Sequence, residues 1–175
     1  IAAPPALCVV AANLEAFGPR PDLVVSGINA GLNAGRSTLH SGTIGAALAA
    51  QNFGIRALAV SLDDADDDAL YQWAAAARIA VEILPHVIDG PERGVLNLNV
   101  PALPFDEIKG VYWAELAEFN SVRSNVNKVH EGQIHFELVP THFEPHEHSD
   151  LGLIRQGYAS ITSIHGTAEV WGPEA

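Results

Sequence analysis

An apolar run, Leu23-Val24-Val25, opens directly into Ser26, Gly27, Ala30, Gly31 and Gly35, and then into Ser41-Gly42-Thr43 and the alanine-rich stretch Ile44–Ala50. Few backbones accommodate that order. Three branched aliphatic residues in a row read as a strand buried on both faces. The small residues after them let backbone N–H groups approach a ligand closely. A serine ahead of the alanines is an N-cap, and the helix it starts presents free N–H groups and the positive end of its dipole. Strand, glycine-rich loop and helix start in succession make a cradle for an anion such as phosphate. Asn29 and Asn33 add two amide side chains within the loop. The same glycines read equally well as tight turns, and Ser41 as a helix cap with no further role.

Around this segment the chain alternates. Residues 6–17 read as a helix with Leu7, Val10, Ala11 and Leu14 on one face, stopped by Gly18-Pro19-Arg20-Pro21. Residues 54–61 supply a second apolar strand, so strand, helix and strand predict a parallel unit. A helix over about 69–84 and a third strand over 95–101 follow. These elements predict a three-layer α/β/α sandwich on a mostly parallel, Rossmann-like sheet. Past Pro101, residues 108–116, 133–139 and 158–164 read as strands, with a polar, irregular segment before the second of them. Residues 102–165 are therefore expected to form a β-rich, antiparallel extension within a single domain spanning 1–175.

Charge narrows the partners. With 21 acidic residues against 9 basic ones and a formal charge of −12, long-range electrostatics oppose duplex nucleic acid and anionic membranes. A small anion needs only a local positive site. No apolar run approaches the roughly 20 residues that span a bilayer. Cys8 is the sole cysteine, so no internal disulfide is possible; it is expected in the core and suits a reducing cytoplasm. The chain contains no Met and starts in the middle of an apolar pattern without a basic leader, from which sequence upstream of Ile1 is expected and a signal peptide is not.

Familiar chemical signatures are missing. Gly27, Gly31 and Gly35 do not make G-x-G-x-x-G, and neither a P-loop nor a G-x-S-x-G nucleophile elbow occurs. A nicotinamide-dependent oxidoreductase is accordingly disfavoured. The acidic run Asp63–Asp68 lacks the glycine and glutamate of a calcium loop, and is expected to be a solvated loop whose last carboxylates cap the next helix. Residues 142–150 hold His142, His146 and His148 with Glu144, Glu147 and Asp150, but in no regular metal spacing and around Pro145, as in an exposed loop. What remains is a phosphate cradle with no protein nucleophile, and for such a site water activated by a divalent cation is the economical chemistry.

The residues Pro21–Gly31 with Ser41-Gly42-Thr43 resemble the signature of the SurE survival-protein family of metal-dependent 5′-nucleotidases. The resemblance continues in order through 57–62, 96–101, 108–110, Asp150, 157–162 and His165. It implies an acid phosphatase that hydrolyses nucleoside 5′-monophosphates, and in some members polyphosphate, with Mn²⁺ or Mg²⁺ polarising the phosphoryl oxygens and activating water. Asn29 matches a metal ligand of the family; Asn33, Ser41, Gly42 and Thr43 match its phosphate-binding positions. A homodimer or homotetramer is implied as well. The family's N-terminal Asn-Asp-Asp-Gly segment and the serine ligand after it have no counterpart here, which predicts weak metal binding by this chain. Arg36 and Ser37 stand where acidic residues are common, and the C-terminal helix is curtailed after Val170-Trp171. The resemblance leaves two readings: a nucleotidase, or a catalytically inactive nucleotide- or phosphate-binding relative that lacks the metal carboxylates.

Overall fold

A computed structural model describes residues 2–65, 71–91, 94–118, 122–130, 133–140 and 143–166. The described helices are α1 (Pro5–Asn13), α2 (Gly42–Asn52), α3 (Trp73–Ile88) and α4 (Asp150–Arg155). The strands are β1 (Leu23–Ala30), β2 (Arg56–Leu62), β3 (Val95–Val100), β4 (Val111–Trp113), β5 (Val122–His130), β6 (Gln133–Pro140) and β7 (Ala159–Ile164). Five of these strands make one sheet in the order β1-β2-β3-β7-β4; β5 and β6 pair with each other as an antiparallel ribbon. β1, β2 and β3 are parallel, β7 runs antiparallel to β3, and β4 is parallel to β7.

Two-residue periodicity sorts the sheet's faces. Leu58, Val60 and Leu62 of β2 and Leu96, Leu98 and Val100 of β3 point to one side, where they meet Ala76, Ile79, Ala80, Ile83 and Val87 of α3. That spacing on α3 is one apolar stripe of a helix. Ala57, Ala59 and Val95 point to the other side, against Ile44, Ala46, Ala47 and Ala50 of α2 and Val9 of α1. Small residues on both α2 and β2 bring this helix close to the sheet. The result is the expected three-layer α/β/α arrangement on a largely parallel sheet.

Several local expectations are corrected. In α1 the buried residue is Val9, while Leu7 and Leu14 are 53% and 72% exposed, because the helix lies against α2 on a different side from the one its spacing suggested. The helix also ends at Asn13, and Cys8 beside Val9 is half-buried rather than part of the core. α3 starts at Trp73 with Gln72 as its cap and no acidic residue in its first turn. Asp63 and Asp64 instead close β2; residues 66–70 lie outside the described ones. The polar segment before 133 is β-structure, the β5 arm of the ribbon. Of 108–116 only 111–113 form a strand, and that strand, like β7, belongs to the main sheet.

Candidate phosphate site

β1 carries one residue more than β2 between the pairs Ser26–Ala59 and Asn29–Ser61. A bulge of this kind turns the following side chains over. Ile28 packs toward the α3-side core, and Asn29 takes the place facing Ser61 at the C-terminal end of the strand. Gly27 sits inside the bulge with φ +134°, and a Cβ there would collide with the Val60 carbonyl oxygen. Only glycine fits. After Ala30 the chain keeps one more bond to β2, Gly31 N–H to the Leu62 carbonyl at 2.8 Å, and then passes over the C-terminal ends of β2 and β3. Ligands of open α/β sheets bind at that edge.

Beneath the passing loop lies a buried polar layer. Asn97 and Asn99 alternate with Leu96, Leu98 and Val100, so both stand on the α2 side of β3, beside Ser61 of β2 and Ser160 and Thr162 of β7. They hold Asn33 from three directions. Its N–H donates to Asn99 Oδ1 at 2.9 Å, its carbonyl accepts from Asn97 Nδ2 at 2.7 Å and from Asn99 Nδ2 at 3.1 Å, and its own Nδ2 donates to Ser61 Oγ at 2.7 Å. Buried amides satisfied in this way fix one loop conformation. Asn97 Oδ1, Ser160 Oγ and Thr162 Oγ1 are buried with no hydrogen-bond partner among the described residues.

The loop then closes into a tight turn. Ser37 Oγ bridges the Ala34 N–H and carbonyl, at 3.2 and 2.6 Å, and Thr38 Oγ1 donates to the Gly35 carbonyl. The turn over Gly35–His40 runs straight into Ser41, whose Oγ accepts from Ile44 N–H at 3.1 Å and caps α2. The first-turn amides of Gly42 and Thr43 have no carbonyl of their own helix to bond, the arrangement that anion sites at helix starts use. Gly42 is exposed and Thr43 half-buried. Arg36 and Leu39 are exposed on the same turn, Leu39 at 81%.

Asp150, wholly buried at the start of α4, joins the loop to the second half of the chain. Its Oδ2 accepts from Gly35 N–H at 2.8 Å, and its Oδ1 from Ala117 N–H at 3.0 Å and Leu151 N–H at 2.8 Å. Burial raises its pKa above the ordinary 3.8, against the downward pull of these N–H donors. Ala34, Ala117 and Leu151, with Leu32 and Phe143 packed on them, form a small apolar cluster between the same elements. The sequence places Asp150 in a run of possible metal donors, whereas its lone pairs are taken by backbone amides.

Metal donors are sparse among the described residues. Asn29 Nδ2 donates to the carbonyls of Ala30 and Gly31 at 3.0 and 2.7 Å, leaving Oδ1 as the atom a cation could take. The Asp64 carboxylate lies over Gly31 and accepts from the Tyr71 hydroxyl at 3.2 Å. Asp63, half-buried beside it, has its pKa raised by burial, opposed by the Asp64 N–H and reinforced by the Asp64 charge. No group of three or more His, Cys, Asp or Glu able to hold a metal exists among the described residues. A lone neutral amide does not fit Mg²⁺ or Mn²⁺, which take several hard oxygens. His146, His148, Glu144 and Glu147 occupy an exposed loop with a surface ion pair, Arg155 to Glu144 at 3.3 Å, and a His148–Glu147 contact at 3.4 Å; His142 lies outside the described residues.

Fold and loop thus define an α/β protein with a capped helix start at the C-terminal edge of its parallel strands. Residues 1–123 match the family model described as Survival protein SurE. The chain is 40% identical to the 5′-nucleotidase SurE of Symbiobacterium thermophilum over 87% of its own length and 60% of that protein's. It is 34% identical to the 5′/3′-nucleotidase SurE of Yersinia enterocolitica, over 97% of this chain and 68% of the other. The crystal structure of the SurE protein from Aquifex aeolicus superimposes with a TM-score of 0.76 at 29% identity, covering 94% of this chain and 68% of that one. The chain belongs to the SurE family. It spans 60% and 65% of the length of two of the curated relatives it matches. No helix among the described residues is long and apolar enough to cross a membrane.

Proposed function

We propose that this chain forms the phosphate-binding half of a nucleotidase site, for metal-dependent hydrolysis of nucleoside 5′-monophosphates to nucleoside and phosphate. The observation that carries the reading is the capped start of α2, delivered by a loop that three buried asparagines and one buried aspartate hold in place. Ser41, Gly42 and Thr43 are its phosphate-contacting set; Asn33, which the sequence placed with them, serves the site from the buried layer. Gly42 and Thr43 give backbone N–H donors, Ser41 organises them, and Asn33 fixes the loop from below. Asn29 is the metal donor the described residues offer, and carboxylates for Mn²⁺ or Mg²⁺ come from outside those residues. Residues 1–175 count here as one domain, with 102–165 its β-rich part, acting in the cytoplasm as a homodimer or homotetramer.

One observation favours the second reading, a nucleotide-binding relative without turnover: the described residues hold no cluster of metal-ligating side chains. Phosphate release from nucleoside monophosphates, measured with Mn²⁺ or Mg²⁺ and again with excess chelator, separates the two. Chelator-sensitive release supports the nucleotidase. Binding of the monophosphate without release supports the binding relative, and neither binding nor release refutes both. Sedimentation of the same sample tests the assembly, and a monomer contradicts it.

A further inference from the structure

Gly35 begins the turn that carries the chain from the polar layer to Ser41, and its N–H is held by a side chain 115 residues away. That side chain, Asp150, is also bound by Ala117 and Leu151, both of which converge on Oδ1. Oδ2 is left to Gly35. Asp150 N–H in turn donates to the Glu115 carbonyl at 2.8 Å, so the carboxylate is fixed from its own backbone.

We propose that Asp150 is a positioning residue for phosphate binding: its buried carboxylate fixes Gly35, and with it the turn that brings Ser41 and the α2 amides to the ligand. This rests on the phosphate reading above. A purely electrostatic role gives the opposite sign. A negative charge close to an anion cradle repels phosphate, so neutralising it with the loop undisturbed tightens binding. Asp150→Asn separates the two effects. An amide that keeps its oxygen toward Ala117 and Leu151 turns its NH₂ against the Gly35 N–H, donor against donor, and a buried donor without an acceptor is costly. The turn then leaves its place.

The test uses inorganic phosphate and the whole chain as wild type, Asp150→Asn and Ser149→Ala, with amide exchange read by NMR. Ser149 Oγ caps α4 through Gly152 N–H at 3.1 Å and donates to the His146 carbonyl at 2.6 Å; neither bond touches Gly35, so loss of the hydroxyl loosens α4 and the turn before it but leaves the Gly35 bond in place. Asp150→Asn is expected to weaken phosphate binding about tenfold and to speed exchange at Gly35. Ser149→Ala is expected to lower the melting temperature and change the affinity by less than about twofold. Unchanged or tighter binding by Asp150→Asn overturns the proposal, as does equal weakening by Ser149→Ala. Absence of phosphate binding by the wild type refutes the cradle itself; binding by the wild type and Asp150→Asn alike refutes only the clasp. If Asp150→Asn does not fold, the wild type decides: slow exchange at Gly35, slower still with phosphate, supports the clasp, and exchange that is fast, or slow but unmoved by phosphate, overturns it.

Discussion

Asn97 and Asn99 are both fully buried on one face of β3 and both donate to the Asn33 carbonyl, yet their truncation should have unequal consequences. Asn99→Ala removes the acceptor of the Asn33 N–H and leaves that donor buried, at about 1–3 kcal/mol, and it also removes one of two bonds to the carbonyl, worth about 1 kcal/mol. The expected total is about 3 kcal/mol. Asn97→Ala removes a bond whose acceptor keeps Asn99 as a partner, and it deletes Oδ1, an atom that has no partner among the described residues. Relief of that buried oxygen counts against the loss of this bond, so the expected cost is no more than about 1 kcal/mol. Both changes delete the same atoms from neighbouring positions, and the cavity contribution largely cancels in the comparison. Urea unfolding with an m-value of about 2 kcal/mol per molar should place the two midpoints about 1 M apart, with Asn97→Ala the more stable. An Asn97→Ala variant as destabilised as Asn99→Ala, at equal m-values, refutes this account of the polar layer.

Ser41→Ala removes the α2 cap and should cost about 1 kcal/mol, a fall of roughly 2–4 °C in melting temperature, together with weaker phosphate binding by titration calorimetry. Gly27→Ala drives a Cβ into the Val60 carbonyl at a φ unsuited to alanine; a loss on the order of 3 kcal/mol in chemical unfolding is expected, and a loss under about 1 kcal/mol contradicts the bulge geometry. For Asp63, whose folded pKa is raised, the stability contribution is full below the ordinary 3.8 and is lost as pH rises through the folded value. Asp63→Asn should therefore raise the melting temperature more near neutral pH than near that ordinary value, and a gain confined to acid has the wrong sign.

The parallel core was legible because its signals are local. Residues 56–62 are an apolar run that is buried as expected, and Ser41 before an alanine-rich stretch announces a helix start; Leu23–Val25 does form a strand, but at the end of the described sheet with Val25 51% exposed rather than buried on both faces. Other features depend on tertiary partners. The β1 bulge is set by close approach to Val60, which no neighbour in sequence of Gly27 reveals. The β5 strand was hidden by its polar composition, since a two-stranded ribbon need not alternate with a buried face. Asp150 looked like one donor in a histidine-rich loop because its partners, Gly35 and Ala117, are remote in the chain. Asn97 and Asn99 did carry a readable signal: two amides at alternate positions of an otherwise apolar strand mark a face that must hydrogen-bond to something. That something was Asn33, which the sequence assigned to the ligand and the fold holds against the sheet.

The most direct test of the central claim is a titration of the isotope-labelled chain with adenosine monophosphate, adenosine and inorganic phosphate, followed at each backbone amide. The cradle predicts that the monophosphate and inorganic phosphate both bind, that Gly42, Thr43 and Gly35 shift most, and that adenosine without its phosphate leaves those amides unmoved. Equal responses to adenosine and its monophosphate, or phosphate shifts centred away from the start of α2, contradict it.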